Sequence, residues 1–260
     1  MNKTLLEVID LSKSYTKRSF WKKESSVALE KISFSLDKFE TLAIVGDSGS
    51  GKSTLAKLLA GAENATTGSV ILNGKKLDMT NLRHHSRHIR MIFQDPATSL
   101  NPSLPIGKTL EEPLKLNTLM SAKEREEKVK KILNRVGLLA DYAWYYPHML
   151  SSGQKQRVAL ARALILDPQI IVADKPFAAM DPSTRSQMVN LFLELQQTFG
   201  LAYIFVSHNL QIVQHISDKV FVMDSGKIVE RGNTQEVFAN PRHTATRKLL
   251  YSQQMLKEIK

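Results

Sequence analysis

The sequence predicts an α/β fold: a mainly parallel sheet covered by helices on both faces and interrupted by one helical insertion. Three observations predict it. Residues 42–45, 170–173 and 201–206 are short apolar runs, as expected of strands buried on both sides. Segments with helical apolar spacing alternate with these runs. A glycine-rich turn joins the first run directly to a helix.

In chain order, the strand at 42–45 leads through that turn into a helix over 52–60, whose apolar residues are Leu55, Leu58 and Leu59 and whose stop is Gly61. Residues 96–113 hold four prolines and read as a loop-rich passage between lobes. Ser121 and Glu124 form a capping box, after which Val129, Ile132, Leu133 and Val136 recur at helical spacing until Gly137. Glu126 and Lys130 support the exposed face of that helix. After the strand at 170–173, Asp181 and Pro182 open a helix striped by Met188, Leu191, Phe192, Leu195 and Phe199 and closed by Gly200. Residues 220–223 and 227–229 flank Asp224-Ser225-Gly226, a hairpin signal. The tail beyond Thr234 reads as helical, and the helical insertion spans about residues 96–164.

At 260 residues the chain can bury a large core, and its 42% hydrophobic and 23% charged content is that of a folded domain. The absence of cysteine excludes disulfides, thiolate metal sites and thiol catalysis. Glu7 and Asp10 interrupt the start, which does not resemble a secretory signal. No apolar run approaches the roughly 20 residues that span a bilayer, so a membrane role is expected to be peripheral. The net charge of +11 suits an anionic partner such as a polyphosphate. Basic clusters at Lys17, Arg18, Lys22 and Lys23, and at Arg83, Arg87 and Arg90, lack interleaved aromatics, so they read as solvated loops and no nucleic acid is expected.

The turn Gly46-Asp47-Ser48-Gly49-Ser50-Gly51-Lys52-Ser53 has the spacing of a phosphate-binding loop. Its glycines let backbone amides curl around phosphate oxygens, Lys52 reaches the terminal phosphates, and Ser53 offers a hydroxyl to Mg2+. The helix that follows, beginning with Lys52, Ser53 and Thr54, turns its positive end toward the anion. Asp174, at the end of a strand, is placed to be the second magnesium ligand.

Leu150-Ser151-Ser152-Gly153-Gln154, followed by Lys155-Gln156-Arg157, resembles the signature of ABC ATPases. Ser151 caps a helix there, whose amino-terminal amides can face a γ-phosphate. Other positions agree in order and spacing. Tyr15 stands where the family stacks an aromatic on adenine, Gln94 at its lobe-joining glutamine, Asp181 in its D-loop and His208 at its switch histidine. Phe93-Gln94-Asp95-Pro96, Ser99-Leu100-Asn101-Pro102 and Asn240-Pro241-Arg242-His243 look like the dipeptide and oligopeptide group, and residues 145–150 and 153–157 like its Sap peptide-transport ATPases of the F type.

The resemblance covers nearly the whole chain. It implies a RecA-like P-loop nucleotide-binding core with a helical ABC-specific subdomain and a small antiparallel β lobe. Core and β lobe would take residues 1–95 and 165–232, the helical subdomain 96–164 and a C-terminal tail 233–260. The cofactors implied are ATP and Mg2+, with Ser53, Gln94 and Asp174 at the metal, residues 46–54 and Tyr15 on this chain's nucleotide, and Ser151, Ser152, Gly153 and Gln154 on that of a second ABC ATPase subunit. Two membrane-spanning permease subunits and a periplasmic solute-binding protein complete the implied assembly, which places the chain peripherally at the cytoplasmic face of a bacterial inner membrane.

Two positions depart from the family. The catalytic glutamate after Asp174 is here Lys175, and an ammonium cannot orient water as a base. The composite site with this chain's phosphate loop is therefore expected to bind ATP and hydrolyse it poorly, with a different partner subunit, in a heterodimer, supplying the competent site. His208 and Gln94 remain the other catalytic candidates there. Ser152 replaces a signature glycine, which is costly if the backbone needs a glycine-only conformation. The expected function is ATP-driven transport of peptides or similar small cationic solutes. A non-transport ABC-type ATPase subunit, as in phosphonate-cleaving assemblies, and a regulatory nucleotide-binding subunit stay open on sequence alone.

Overall fold

The structure is a computed structural model that describes residues 4–18, 23–78, 82–93, 99–178 and 180–258. Among these, β1 (Thr4–Arg18), β2 (Lys23–Asp37), β4 (Thr67–Leu72) and β5 (Lys75–Lys76) form an antiparallel sheet in the order β2-β1-β4-β5. A second sheet runs β10-β9-β3-β8-β7-β6. It comprises β3 (Thr41–Gly46), β6 (Ile89–Ile92), β7 (Ile170–Asp174), β8 (Ala202–Val206), β9 (Lys219–Asp224) and β10 (Lys227–Asn233). All its pairings are parallel except β9 with β10, a hairpin turning through Ser225 and Gly226. Both turn residues have positive φ, the backbone that a two-residue hairpin requires.

The pleat sorts side chains into layers. Leu42, Ile44, Ile170, Val172, Ile204 and Val206 face one core, shared with α1 (Lys52–Leu59) and the antiparallel sheet. Ile171, Ala173, Tyr203 and Phe205 face the opposite core, which is continuous with the helical insertion. Phe192 and Phe177 close on Tyr203 and Phe205 there, with ring centroids 5.3–5.8 Å apart. Ala43 and Val45 instead meet α7 (Leu210–Ile216), α8 (Thr234–Ala239) and α9 (Thr244–Glu258). In β2 one side meets water, and Ile32, Phe34 and Leu36 are buried between exposed Lys31, Ser33 and Ser35.

The insertion holds α3 (Ile106–Asn117), α4 (Ala122–Arg135), two 3₁₀ turns (Ala140–Trp144 and Pro147–Met149) and α5 (Ser152–Leu164), and α6 (Pro182–Phe199) follows β7. The capping box on α4 forms as expected, and Lys130 pairs with Glu126 at 2.9 Å. The proline-rich passage departs from expectation. It becomes helical at Ile106 and carries Pro113 inside the helix, because Ile106, Leu110 and Leu114 bury one stripe and outweigh the lost amide. Phe199 is no part of the buried stripe of α6; it is 41% exposed beneath the Arg135 guanidinium.

The second basic cluster is likewise not a solvated loop. It forms α2 (Leu82–His88) and the start of β6, with His85 fully buried and its Nε2 2.6 Å from the Leu59 carbonyl.

Candidate functional site

The carboxyl ends of three adjacent strands converge on the phosphate loop. Lys175 N–H donates to the Val206 carbonyl at 2.8 Å and Ser207 N–H to that of Ile44 at 3.2 Å, so the segments after β7 and β8 flank Gly46. This is where open parallel sheets bind ligands. Gly46 has no substitute, because a β-carbon on it would lie 2.1 Å from the Met223 carbonyl oxygen. Ser50 N–H closes the loop on Asp47 at 3.2 Å, and α1 begins at Lys52 with its first-turn amides facing the loop.

Lys52 is buried, and its ammonium donates to the Asp47 carbonyl at 2.6 Å and the Ser50 hydroxyl at 3.1 Å. Burial pushes its pKa down, the charge of Lys175 adds to that, and Asp174 and Asp47 oppose it. Lys52, Asp174 and Lys175 thus share one electrostatic site. Asp174 is also buried, and its Oδ1 has no hydrogen-bond partner among the described residues. A buried carboxylate oxygen left this way, beside a phosphate loop, fits a divalent cation or its water.

Lys175 holds φ at 48°, a left-handed backbone that its amide bond to Val206 and an Ala178 N–H to Lys175 carbonyl bond of 3.2 Å keep in place. Its side chain borders a cavity of about 50 Å³ together with Ser207 and His208. His208 is exposed at the end of β8, one residue before Asn209 caps α7 through the amides of Gln211 and Ile212.

Tyr15 emerges half-exposed from β1, and its hydroxyl donates to Glu63 Oε2 at 2.5 Å. Glu63 pushes the Tyr15 pKa up and burial adds to it, while the Thr54 side chain, one turn into α1, draws it down. Tyr15 is therefore next to the phosphate-loop helix. Gln94 lies outside the described residues, as do Asp95, Pro96 and Ala179.

The signature residues sit elsewhere in the helical insertion. Ser151 Oγ accepts from Gln154 N–H at 3.3 Å, and Gln154 Oε1 accepts from Ser151 N–H at 2.9 Å. Gln154 Nε2 then donates to the Tyr142 hydroxyl at 2.8 Å. Among the described residues no hydrogen bond or ion pair links Ser151, Ser152, Gly153 or Gln154 to residues 46–54. Ser152 begins α5 without positive φ, so no glycine-only backbone is required at the position where serine replaces glycine. Asp181 caps α6, accepting from the amides of Ser183 and Thr184 at 3.0 Å each.

Sequence reasoning missed three contributors. Gln156 Nε2 donates to the Pro176 carbonyl at 2.7 Å and ties the signature helix to the segment after Asp174. Glu63 holds Tyr15, and Gln253 on α9 reaches the His208 backbone. Glu63 and Gln253 have no periodic or motif context, and Gln156 stands in the signature segment without a marked role, so only the tertiary contact reveals each.

Residues 29–178 match the family described as ABC transporter. The "Peptide transport system ATP-binding protein SapF" of Salmonella typhimurium is 48% identical over 251 residues, 96% of this chain and 94% of that protein. The "Putrescine export system ATP-binding protein SapF" of Escherichia coli K12 is 48% identical over the same shares of both chains. Among solved structures, a dimeric ATP-binding cassette in a post-hydrolysis state with ADP and Pi superposes with a TM-score of 0.77 at 29% identity, over 88% of this chain and 99% of that one. By these matches the chain belongs to the ABC transporter family, as an ATP-binding, transport-coupled ATPase subunit.

Proposed function

We propose that this subunit powers movement of peptides or small cationic solutes, and that its own composite site holds ATP more than it hydrolyses it. Names of relatives at equal identity point to peptide and to putrescine, which share cationic amine chemistry. The observation that carries the hydrolysis reading is the charge at Lys175, placed within electrostatic reach of Lys52 and Asp174 where a water-orienting carboxylate is needed.

In this reading residues 46–54 wrap the phosphates, Lys52 exchanges its loop oxygens for the terminal phosphates, and Tyr15 flanks the base. Ser53 and Asp174, with Gln94, would hold Mg2+, which would offset the charge of the phosphates. His208 faces the γ-phosphate. Lys175 adds attraction for that phosphate but cannot take a proton from water. Residues 151–154 serve the nucleotide of a second, different ATPase subunit, whose site hydrolyses.

Two permease subunits, and a periplasmic solute-binding protein, complete the assembly at the cytoplasmic face of a bacterial inner membrane. No helix among the described residues is long and apolar enough to cross a membrane, which supports a peripheral station. A groove of about 450 Å³ between the sheet and the helical insertion, lined by Arg90, Phe93, Glu112, Leu116 and Arg162, supports permease docking. Burial, and then the charge of Arg162, push the Arg90 guanidinium down, and its Nε has no partner among the described residues. Arg90 and Arg162 line the groove together, and an acidic residue on the permease loop matches their charge.

Co-purification with the membrane subunits, followed by ATPase assay with cationic peptides and polyamines, tests the reading. Stimulation by one of them names the cargo. Brisk turnover at this chain's own site, unchanged by Lys175→Glu, overturns the hydrolysis assignment.

A further inference from the structure

The tail motif Asn240-Pro241-Arg242-His243 has a structural purpose. Glu230, on β10, accepts the amides of Arg242 and His243 at 2.9 Å each and the Thr246 hydroxyl at 2.5 Å. Burial pushes the Glu230 carboxyl up, but these donors outweigh it and hold it below the usual carboxylate range. That three-way bond pins the start of α9. From there Leu249 and Leu250 lie against the core formed by Val45, Val222, Leu210 and Val213.

Pinned this way, α9 reaches both loops of the nucleotide site. Lys248 pairs with Asp47 of the phosphate loop at 2.9 Å, an exposed contact of small weight. Gln253 does more. Its Nε2 donates to the His208 carbonyl at 2.5 Å, and its Oε1 accepts from Leu210 N–H at 3.1 Å. One amide therefore bridges the backbone on either side of Asn209, as a paired strand would.

We propose that Gln253 is a positioning residue for His208: its amide fixes the backbone from which the His208 ring addresses the γ-phosphate, so α9 sets how strongly the site prefers ATP to ADP. This rests on the reading of His208 given above. The γ-phosphate is what distinguishes the two nucleotides, and the phosphate loop wraps both. Slack in the His208 backbone therefore weakens ATP and leaves ADP unaffected.

The test compares Mg2+-ATP and Mg2+-ADP affinities of the full chain, by competition against a fluorescent nucleotide, for wild type, His208→Ala, Gln253→Ala and Gln253→Glu. Gln253→Glu keeps the acceptor for Leu210 N–H and loses the donor to His208, so it separates positioning from support of α7. Expected is a drop in ATP-over-ADP preference of roughly three- to tenfold in both Gln253 variants and His208→Ala, with ADP affinity and nucleotide-free Tm within twofold and about 2 °C of wild type. If His208→Ala lowers the preference and Gln253→Glu does not, the positioning role is overturned while the site reading stands. If His208→Ala itself leaves the preference unchanged, both are overturned. A fall in ATP and ADP affinity together, with a lower Tm, assigns Gln253 to stability and overturns the proposal.

Discussion

Lys175 lies near enough to Lys52 to depress that residue's proton affinity, an effect second only to burial. Asp174 acts on Lys52 in the opposite sense, so all three charges bear on one site. Replacing Lys175 separates two consequences. Lys175→Glu is expected to raise hydrolysis by the purified chain on the order of 10²-fold, because it supplies the carboxylate that orients water. Lys175→Met removes the repulsion without supplying a base and is expected to leave hydrolysis low. Phosphate-release rates of the three proteins at saturating ATP decide it, and a Met variant as fast as the Glu variant sinks the missing-base account.

Asp174 Oδ1, buried and without a partner, is the atom that should feel a metal. Asp174→Asn keeps the size and removes the charge. ATP affinity in Mg2+ should fall by about tenfold or more, while affinities in excess EDTA should match those of wild type. Titration calorimetry in both buffers checks this, and equal losses in both point to a damaged loop instead.

Gly153 approaches α6 so closely that a β-carbon on it would lie 2.8 Å from Thr184 Cγ2. Gly153→Ala should therefore cost about 1–3 kcal/mol by overpacking. Thr184→Ser removes that methyl, and the double variant should recover much of the loss. Ser152→Gly, at an exposed position with ordinary backbone, should change stability by about 0.5 kcal/mol or less. Urea unfolding of the four variants tests the set.

Glu111 joins α3 to α4 through Arg125 at 2.9 Å, and within α3 it pairs with Lys108 and Lys115 at 3.2 Å each. Burial pushes its carboxyl up, but the hydrogen bonds from Arg125, Lys108 and Lys115 prevail and bring it down to about 2. Because this lies below the unfolded value of about 4.3, the contribution is complete above that pH and disappears as pH falls through about 2. Glu111→Gln should cost about 1–2 kcal/mol at neutral pH, with the gap to wild type narrowing in acid. Denaturant unfolding at pH 7 and pH 3 measures the narrowing, and a gap independent of pH rules the ion cluster out as its source.

Much of the architecture was legible because its signals are local. Buried strands read as apolar runs, Asp224-Ser225-Gly226 announced a hairpin, and Ser121 with Glu124 announced a helix start. Where the reading failed, a long-range contact overrode a local preference. Pro113 argued for a loop until burial of Leu110 and Leu114 on one face held it in α3, and Arg90 looked solvated until β6 carried it into the groove that α3 and α5 line.

The sequence by itself determined the spacing of a phosphate-binding loop, a segment resembling the ABC signature and a lysine where that resemblance implies a glutamate, because those properties reside in residue types at fixed spacings. Only the tertiary structure decided how they meet. It brought Lys175 into the field of Lys52, left Asp174 Oδ1 without a partner, relieved the concern over Ser152, and laid α9 across the backbone of His208. These relationships join residues between 45 and 123 positions apart in the chain, from His208 with Gln253 to Lys52 with Lys175. No periodicity or motif encodes such distances, and the closing of the three cores around the sheet sets them.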